Sequence, residues 1–292
     1  MTGRTAGGVR ELLTDGTLTV RGRIREASNA VLYAVVEHRG RSLPCVYKPV
    51  AGERPLWDFP DGTLAGREVA AFEVSAATGW GLVPVTVLRD GPYGEGMCQE
   101  WIGPADGTGT APGTGLPDTA EGPDGPDAPE PPEELLALVD GDDPGPGWKA
   151  VGYADVGADR PALLVHADDA DLRRLAVLDA VLNNADRKGG HLLRDAAGRL
   201  RAIDHGVTFH VDDKLRTLLW GWAGEPLPRS AVAVLRRLSA ELAEGGPLAT
   251  RLGELLTGEE VDAVRKRTEA LLTAGRHPLP SGDWPAIPWP PV

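Results

Sequence analysis

Only two cysteines, Cys45 and Cys98, occur in the 292 residues. Two are too few for a disulfide framework, and their spacing is not that of a metal site; each is expected to fill a small gap in a core strand. Also lacking is any run of about 18 apolar residues, the length needed to cross a bilayer. The opening Met1-Thr2-Gly3-Arg4-Thr5 has no apolar core of the kind a signal peptide carries. These absences predict a cytoplasmic protein without stable membrane association. A basic excess is missing too. The formal net charge is −13, but residues 103–147 hold 11 of the 43 acids and none of the 30 Lys and Arg residues, leaving 32 acids against 30 bases elsewhere. Outside that stretch the chain is nearly neutral, with no cationic footprint for nucleic acid or an anionic lipid surface.

What is present suits a globular protein: 41% hydrophobic residues, in a chain long enough for two lobes around a cleft. Residues 103–147 interrupt it with ten Pro, ten Gly and the eleven acids. Such a segment buries too little surface to offset its ordering entropy, so it reads as a disordered acidic insert. Residues 133–139 are its one stretch apolar enough for a short docking helix or a partner-binding segment. The expected organisation is a first lobe over 1–102, the insert over 103–147 and a second lobe over 148–292.

In the first lobe, residues 18–20, 30–37 and 42–48 are β-branched or alternating apolar runs separated by polar turns. They predict three antiparallel strands with a hairpin tip at Arg39-Gly40-Arg41. The link at 25–29 is either an ordinary turn or a loop over phosphates, using backbone amides and the Ser28 hydroxyl. Lys48 ends the third strand, and Pro49 stops pairing there. Its side chain either snorkels to solvent or serves a site. Residues 66–75 have a helical pattern that carries Glu68, with Glu73 as a second acidic candidate. Strands follow at 82–88 and 96–102.

In the second lobe, Asp168-Asp169 can cap an apolar helix running to about Asn184, with one of the two asparagines ending it. A polar loop follows, Asn183-Asn184-Ala185-Asp186-Arg187-Lys188-Gly189-Gly190-His191. Then come a strand, a turn at Ala197-Gly198 and a second strand ending in Ile203-Asp204-His205-Gly206. Arg187 is expected to brace the loop, and Trp220 and Trp222 to fill core. Thr257-Gly258-Glu259-Glu260 reads as a capping box for the last helix, and the Pro-rich tail from Pro278 as an extended strap.

Two carboxylates and a metal-capable side chain at one end of a hairpin are what phosphoryl transfer requires. This loop and Asp-x-Gly segment resemble those of the protein-kinase-like superfamily. The motif is most similar to phosphatidylinositol 3-/4-kinase-related proteins, in particular type II phosphatidylinositol 4-kinases and their bacterial relatives. The resemblance implies a bilobal α+β fold, with an antiparallel-sheet N-lobe and a mainly helical C-lobe. It makes Asp186 the catalytic-loop aspartate, Lys188 a lysine for the transferred phosphate, and Lys48 with Glu68 the phosphate-holding pair. Asp204 takes the metal-binding position, and Glu100, Trp101 and Ile102 become the adenine hinge. His191 departs from the usual metal-binding Asn. An imidazole there favours Mn²⁺ over Mg²⁺ or a single-metal mechanism.

The expected function is therefore transfer of the ATP γ-phosphate to a hydroxyl of a protein, small molecule or inositol lipid, with Mg²⁺ or Mn²⁺. The alternatives are an inactive nucleotide-binding pseudokinase, whose insert recruits a partner, and transfer of AMP. Shared phosphates and metal require Lys48 to lie within about 10 Å of Asp204.

Overall fold

The structure is a computed structural model that describes residues 6–24, 30–60, 63–103, 134–154 and 161–290. Its first part opens with a helix, α1 (Ala6–Asp15), followed by strands β1 (Thr17–Arg23), β2 (Leu32–His38) and β3 (Arg41–Pro49). Helix α2 (Leu64–Thr78) leads to β4 (Thr86–Gly91) and β5 (Gly94–Glu100). The five strands form one antiparallel sheet in the order β1-β2-β3-β5-β4. The three-strand reading of residues 18–48 therefore holds, and the hairpin tip has Arg39 and Gly40 at positive φ. Cys45 and Cys98 are both free and buried in this sheet.

Alternation explains the register. Ala34, Val36, Leu43, Cys45 and Tyr47 face the core and are buried, while their neighbours along each strand are more exposed, as the period of two requires. Helix α2 is fixed at its start from two directions. The Thr63 side chain accepts from the Gly66 amide at 2.9 Å. Glu53 accepts from the amides of Leu64 and Ala65 at 3.0 and 2.8 Å, placing a negative charge at the positive helix end.

After the segment at 104–133, which lies outside the described residues, the chain forms β6 (Leu136–Val139), β7 (Trp148–Ala154) and β8 (Ala162–Ala167). These pair as a second antiparallel sheet, β6-β8-β7. Residues 136–139 are thus a strand, not the short helix considered from their composition. Four apolar residues suit either state, and pairing with β8 decides between them.

Helix α3 (Ala170–Leu182) follows, its start capped by Asp169, which accepts from Asp171 and Leu172. It is buried over most of its circumference, with Leu172, Leu175, Val177, Leu178, Val181 and Leu182 all in the core. It ends at Asn183, whose φ of 54° closes the helix in the left-handed region. The hairpin β9 (Leu192–Arg194) and β10 (Leu200–Ala202) comes next. Helices α4 (Arg229–Glu241), α5 (Pro247–Gly253) and α6 (Gly258–Ala274) complete the C-terminal part. The capping box at Thr257 and Glu260 forms as read. Trp220 and Trp222 are buried.

Candidate active site

Three elements meet at the end of β3. Lys48 donates from Nζ to Glu68 Oε1 on α2 at 2.7 Å and to Asp204 Oδ1, just past β10, at 2.9 Å. The spacing falls far inside the limit of about 10 Å set by shared phosphates and metal. Burial alone would lower the lysine pKa, but the charges of Asp204 and Glu68 outweigh it, so Lys48 titrates above its ordinary value. The nearby lysine holds the Asp204 carboxyl well below the usual carboxylate range, against the opposing effect of burial. Asp204 has a φ of 60°, an uncommon conformation for a residue with a side chain. A cavity of about 30 Å³ lies against Lys48, Glu53, Glu68, Asp204 and Gly206, room for only a water or two.

His191, in the turn before β9, sets Nε2 3.4 Å from the other Asp204 oxygen. Burial lowers its pKa to about 4 in spite of Asp204, so the ring is neutral at pH 7. Its Nδ1 accepts from the Lys188 amide at 3.5 Å, which puts the ring proton on Nε2, facing Asp204. In this tautomer His191 steadies the carboxylate. Ligation through Nε2 needs the other tautomer, at the cost of that one long contact. A carboxylate oxygen beside a neutral imidazole nitrogen is a donor set that fits a divalent ion.

Asp186 lies in the loop between α3 and β9, with Lys188 Nζ 3.1 Å from its Oδ2. Burial raises its pKa, against the pull of Lys188. Its backbone amide donates to the Asn184 side chain at 3.0 Å. The brace beneath the loop is Arg187, fully buried with Asp179 of α3. Arg187 Nε donates to Asp179 Oδ2 at 2.9 Å, Nη2 to Oδ1 at 3.0 Å, and Nη1 to the Ile203 carbonyl at 2.9 Å. The same guanidinium reaches His205 Nε2 at 2.7 Å. One side chain therefore ties the Asp186 loop to the strand end that carries Asp204.

Sequence reasoning missed Asp179 and the side-chain role of Asn184. A lone carboxylate inside the apolar run Leu175 to Leu182 was the available signal, since a buried charge needs a partner. Glu53 was missed as well, and nothing in its local sequence marks it.

Of the other expected positions, Ser28 lies outside the described residues. Glu100 is the last residue of β5, and Trp101 and Ile102 follow it. The Glu100 amide donates to Val85 O at 2.9 Å and that of Trp101 to Pro44 O at 3.1 Å, so both are spent within the sheet. The second acidic candidate, Glu73, instead pairs with Arg10 at 2.7 Å and Arg251 at 3.0 Å.

No model of a known protein family matches the sequence. The Mycobacterium tuberculosis protein "Protein Rv2133c" is 48% identical over 280 residues, spanning 96% of this chain and 94% of that protein. Among solved structures, hydra Fam20 with sugar superposes with a TM-score of 0.51 at 14% identity, over 92% of this chain and 87% of the other. The Golgi casein kinase with Mn/ADP bound gives a TM-score of 0.49 at 13% identity, over 92% and 75% of the two chains. The hydra likeness and the two-part architecture give this chain an α+β, bilobal, kinase-like fold. By its identity and near-complete coverage, the chain belongs to the family of the mycobacterial Protein Rv2133c.

Proposed function

We propose that this protein is an ATP-dependent phosphotransferase that moves the γ-phosphate to a hydroxyl group. The observation that carries this reading is Lys48, held between Glu68 and Asp204. That arrangement joins a cation for phosphates to a carboxylate for metal, drawn from elements 156 residues apart. Lys48 holds the nucleotide phosphates once they replace Asp204 as its partner, and Glu68 keeps it aimed. Asp186 orients the acceptor hydroxyl and takes its proton, for which its burial-raised pKa suits it. Lys188 neutralises charge on the transferring group. Asp204 and His191 would hold Mg²⁺ or Mn²⁺, which supplies neutralisation of the phosphate charge. Adenine lies against Glu100, Trp101 and Ile102, read by carbonyls and by the Ile102 amide because the other two amides are engaged.

The acceptor is a protein, a soluble small molecule or an inositol lipid. The phosphatidylinositol 3-/4-kinase-related assignment rests on the loop motif alone, and kinship of phosphate machinery does not transfer a substrate. The near balance of charged residues outside the acidic stretch and the lack of a spanning helix among the described residues fit a cytoplasmic protein working on a soluble acceptor.

A second reading, a nucleotide-binding pseudokinase whose acidic insert engages a partner, is favoured by the Nε2–H of His191 facing Asp204. ATP labelled separately at the α and γ positions distinguishes the possibilities. Transfer of γ label alone supports the kinase, transfer of α label indicates AMP transfer, and binding without either supports the pseudokinase.

A further inference from the structure

Arg216 stands beside the candidate catalytic loop with most of its guanidinium uncommitted. Its backbone is fully engaged there, the amide donating to Asn184 O at 2.9 Å and the carbonyl accepting from the Arg187 amide at 3.0 Å. Its charge acts on Asp186, pulling that carboxyl's pKa down. Yet the half-buried guanidinium makes one hydrogen bond among the described residues, from Nη2 to Ile287 O at 3.4 Å. Its Nε is shielded from solvent and has no partner among the described residues. Nε and Nη2 form the edge by which arginine grips an oxyanion with two parallel bonds. That edge is held here by a single long contact.

A second donor without a partner lies on the neighbouring segment. The tail runs alongside residues 214–217, with the Thr217 amide donating to Ala286 O at 3.0 Å and the Lys214 Nζ 4.5 Å from the Trp284 ring centre. The Trp284 indole Nε1 is buried and makes no hydrogen bond among the described residues. An indole N–H can only donate, and a guanidinium can only donate. Each such group is penalised while it stays unpaired, until an acceptor arrives. A group that only accepts satisfies a donor of either kind.

We infer that Arg216, with Trp284, forms an oxyanion subsite for the acceptor, so that the substrate carries a phosphate or carboxylate close to the hydroxyl that Asp186 addresses. This deepens the phosphotransferase reading and rests on it. Lys48 and Lys188 serve the nucleotide; Arg216 then sets which hydroxyl compounds are used.

The full chain is saturated with a non-hydrolysable ATP analogue and Mg²⁺, so that the nucleotide phosphate positions are filled. It is then titrated with inorganic phosphate and, in a second arm, with acetate. The indole N–H resonance of Trp284, assigned through Trp284→Phe, is followed. The expected result is a saturable shift at low millimolar concentration of one of the two anions, weakened at least tenfold in Arg216→Gln and in Arg216→Lys. The arm that saturates assigns the class, phosphomonoester or carboxylate. Unchanged indole resonances elsewhere show that each variant is folded. The inference is overturned by the absence of a shift in both arms, by equal shifts in wild type and Arg216→Gln, or by the same shift with sodium chloride at matched ionic strength. Failure of the analogue to bind counts against the phosphotransferase reading instead, and the anion titration on the bare chain still decides the subsite.

Discussion

Glu68 and His205 are 137 residues apart in the chain, yet the His205 backbone amide donates to Glu68 Oε2 at 2.9 Å. The other oxygen of the same carboxylate accepts from Lys48 at 2.7 Å. Glu68 therefore fixes both the lysine and the strand end bearing Asp204, and it links helix α2 to the second-lobe segment that carries Asp204.

Removing that charge should disturb both sides at once. Glu68→Gln keeps the shape but loses the ionic hold on Lys48, and phosphate transfer should fall on the order of 100-fold, as when one preorganised electrostatic group is lost. Nucleotide affinity, read by calorimetry, should weaken in parallel with Lys48→Met. Glu73→Gln, altering an acid on the same helix that pairs with Arg10 and Arg251, should leave nucleotide affinity unchanged. Equal losses in the two Glu variants would contradict the assignment.

The buried pair below the loop predicts a different signature. Asp179 and Arg187 are both without solvent exposure, so Asp179→Ala strands a buried guanidinium and should cost about 3–5 kcal/mol. Urea unfolding measures it. Asp179→Leu combined with Arg187→Met should recover most of the stability while transfer activity stays lost, because Ile203 O and His205 lose their brace. Recovery of both would reduce Arg187 to packing.

A cross-lobe contact makes a third case. Arg67 of α2, buried, pairs through Nη2 with Glu260 of α6 and through Nε with Thr208 O at 3.2 Å. Glu260 also accepts from the Thr257 amide at 2.9 Å as part of the helix cap. Glu260→Ala loses both roles and should destabilise by more than about 3 kcal/mol. Glu259→Ala, exposed on the same turn, should stay within about 0.5 kcal/mol. Equal midpoints for the two would refute the pairing.

Acid sensitivity follows from His166. Burial holds its pKa at about 4, below the unfolded value. Its Nε2 accepts from the Gly221 amide at 3.1 Å, and Nδ1 lies 2.9 Å from Ala167 O, an arrangement that needs the neutral ring. Between about pH 6.5 and 4 the unfolded chain binds the proton that the folded chain refuses, so stability rises with pH and is lost on acidification. The full span is on the order of 3 kcal/mol. His166→Gln retains an acceptor for Gly221 and should reduce the pH dependence of the urea midpoint, leaving the share that burial of His191, His205 and His277 contributes in the same direction. An unaltered slope would show that His166 is not the titrating group.

Much of the site was legible because its parts are marked by spacing. Asp186 precedes Asp204 by one hairpin, and Lys48 ends a strand before a proline; the resemblance of that order to the protein-kinase-like superfamily is what implied their meeting. Helix α1 was not legible. Its Ala6-Gly7-Gly8 start lowers helix propensity, and packing of Val9, Leu12 and Leu13 into the core holds it. The second sheet escaped for another reason. β8, Ala162–Ala167, is buried throughout and shows no alternation, while β6 has only four residues. The Asp179–Arg187 pair depends on the helix phase and loop path together, which no local pattern encodes.

The central claim is that Lys48, Asp186 and Asp204 transfer phosphate, and γ-labelled ATP turnover with autophosphorylation read in the same tube tests it most directly. The reaction is run in Mg²⁺ and in Mn²⁺, beside Lys48→Met, Asp186→Asn and Asp204→Ala. The account predicts label transfer by the wild type, lost by at least about 100-fold in each variant, with Mn²⁺ the better ion if His191 ligates it. Tight ATP binding with no transfer in either metal, or transfer that survives Asp186→Asn and Asp204→Ala, would contradict it.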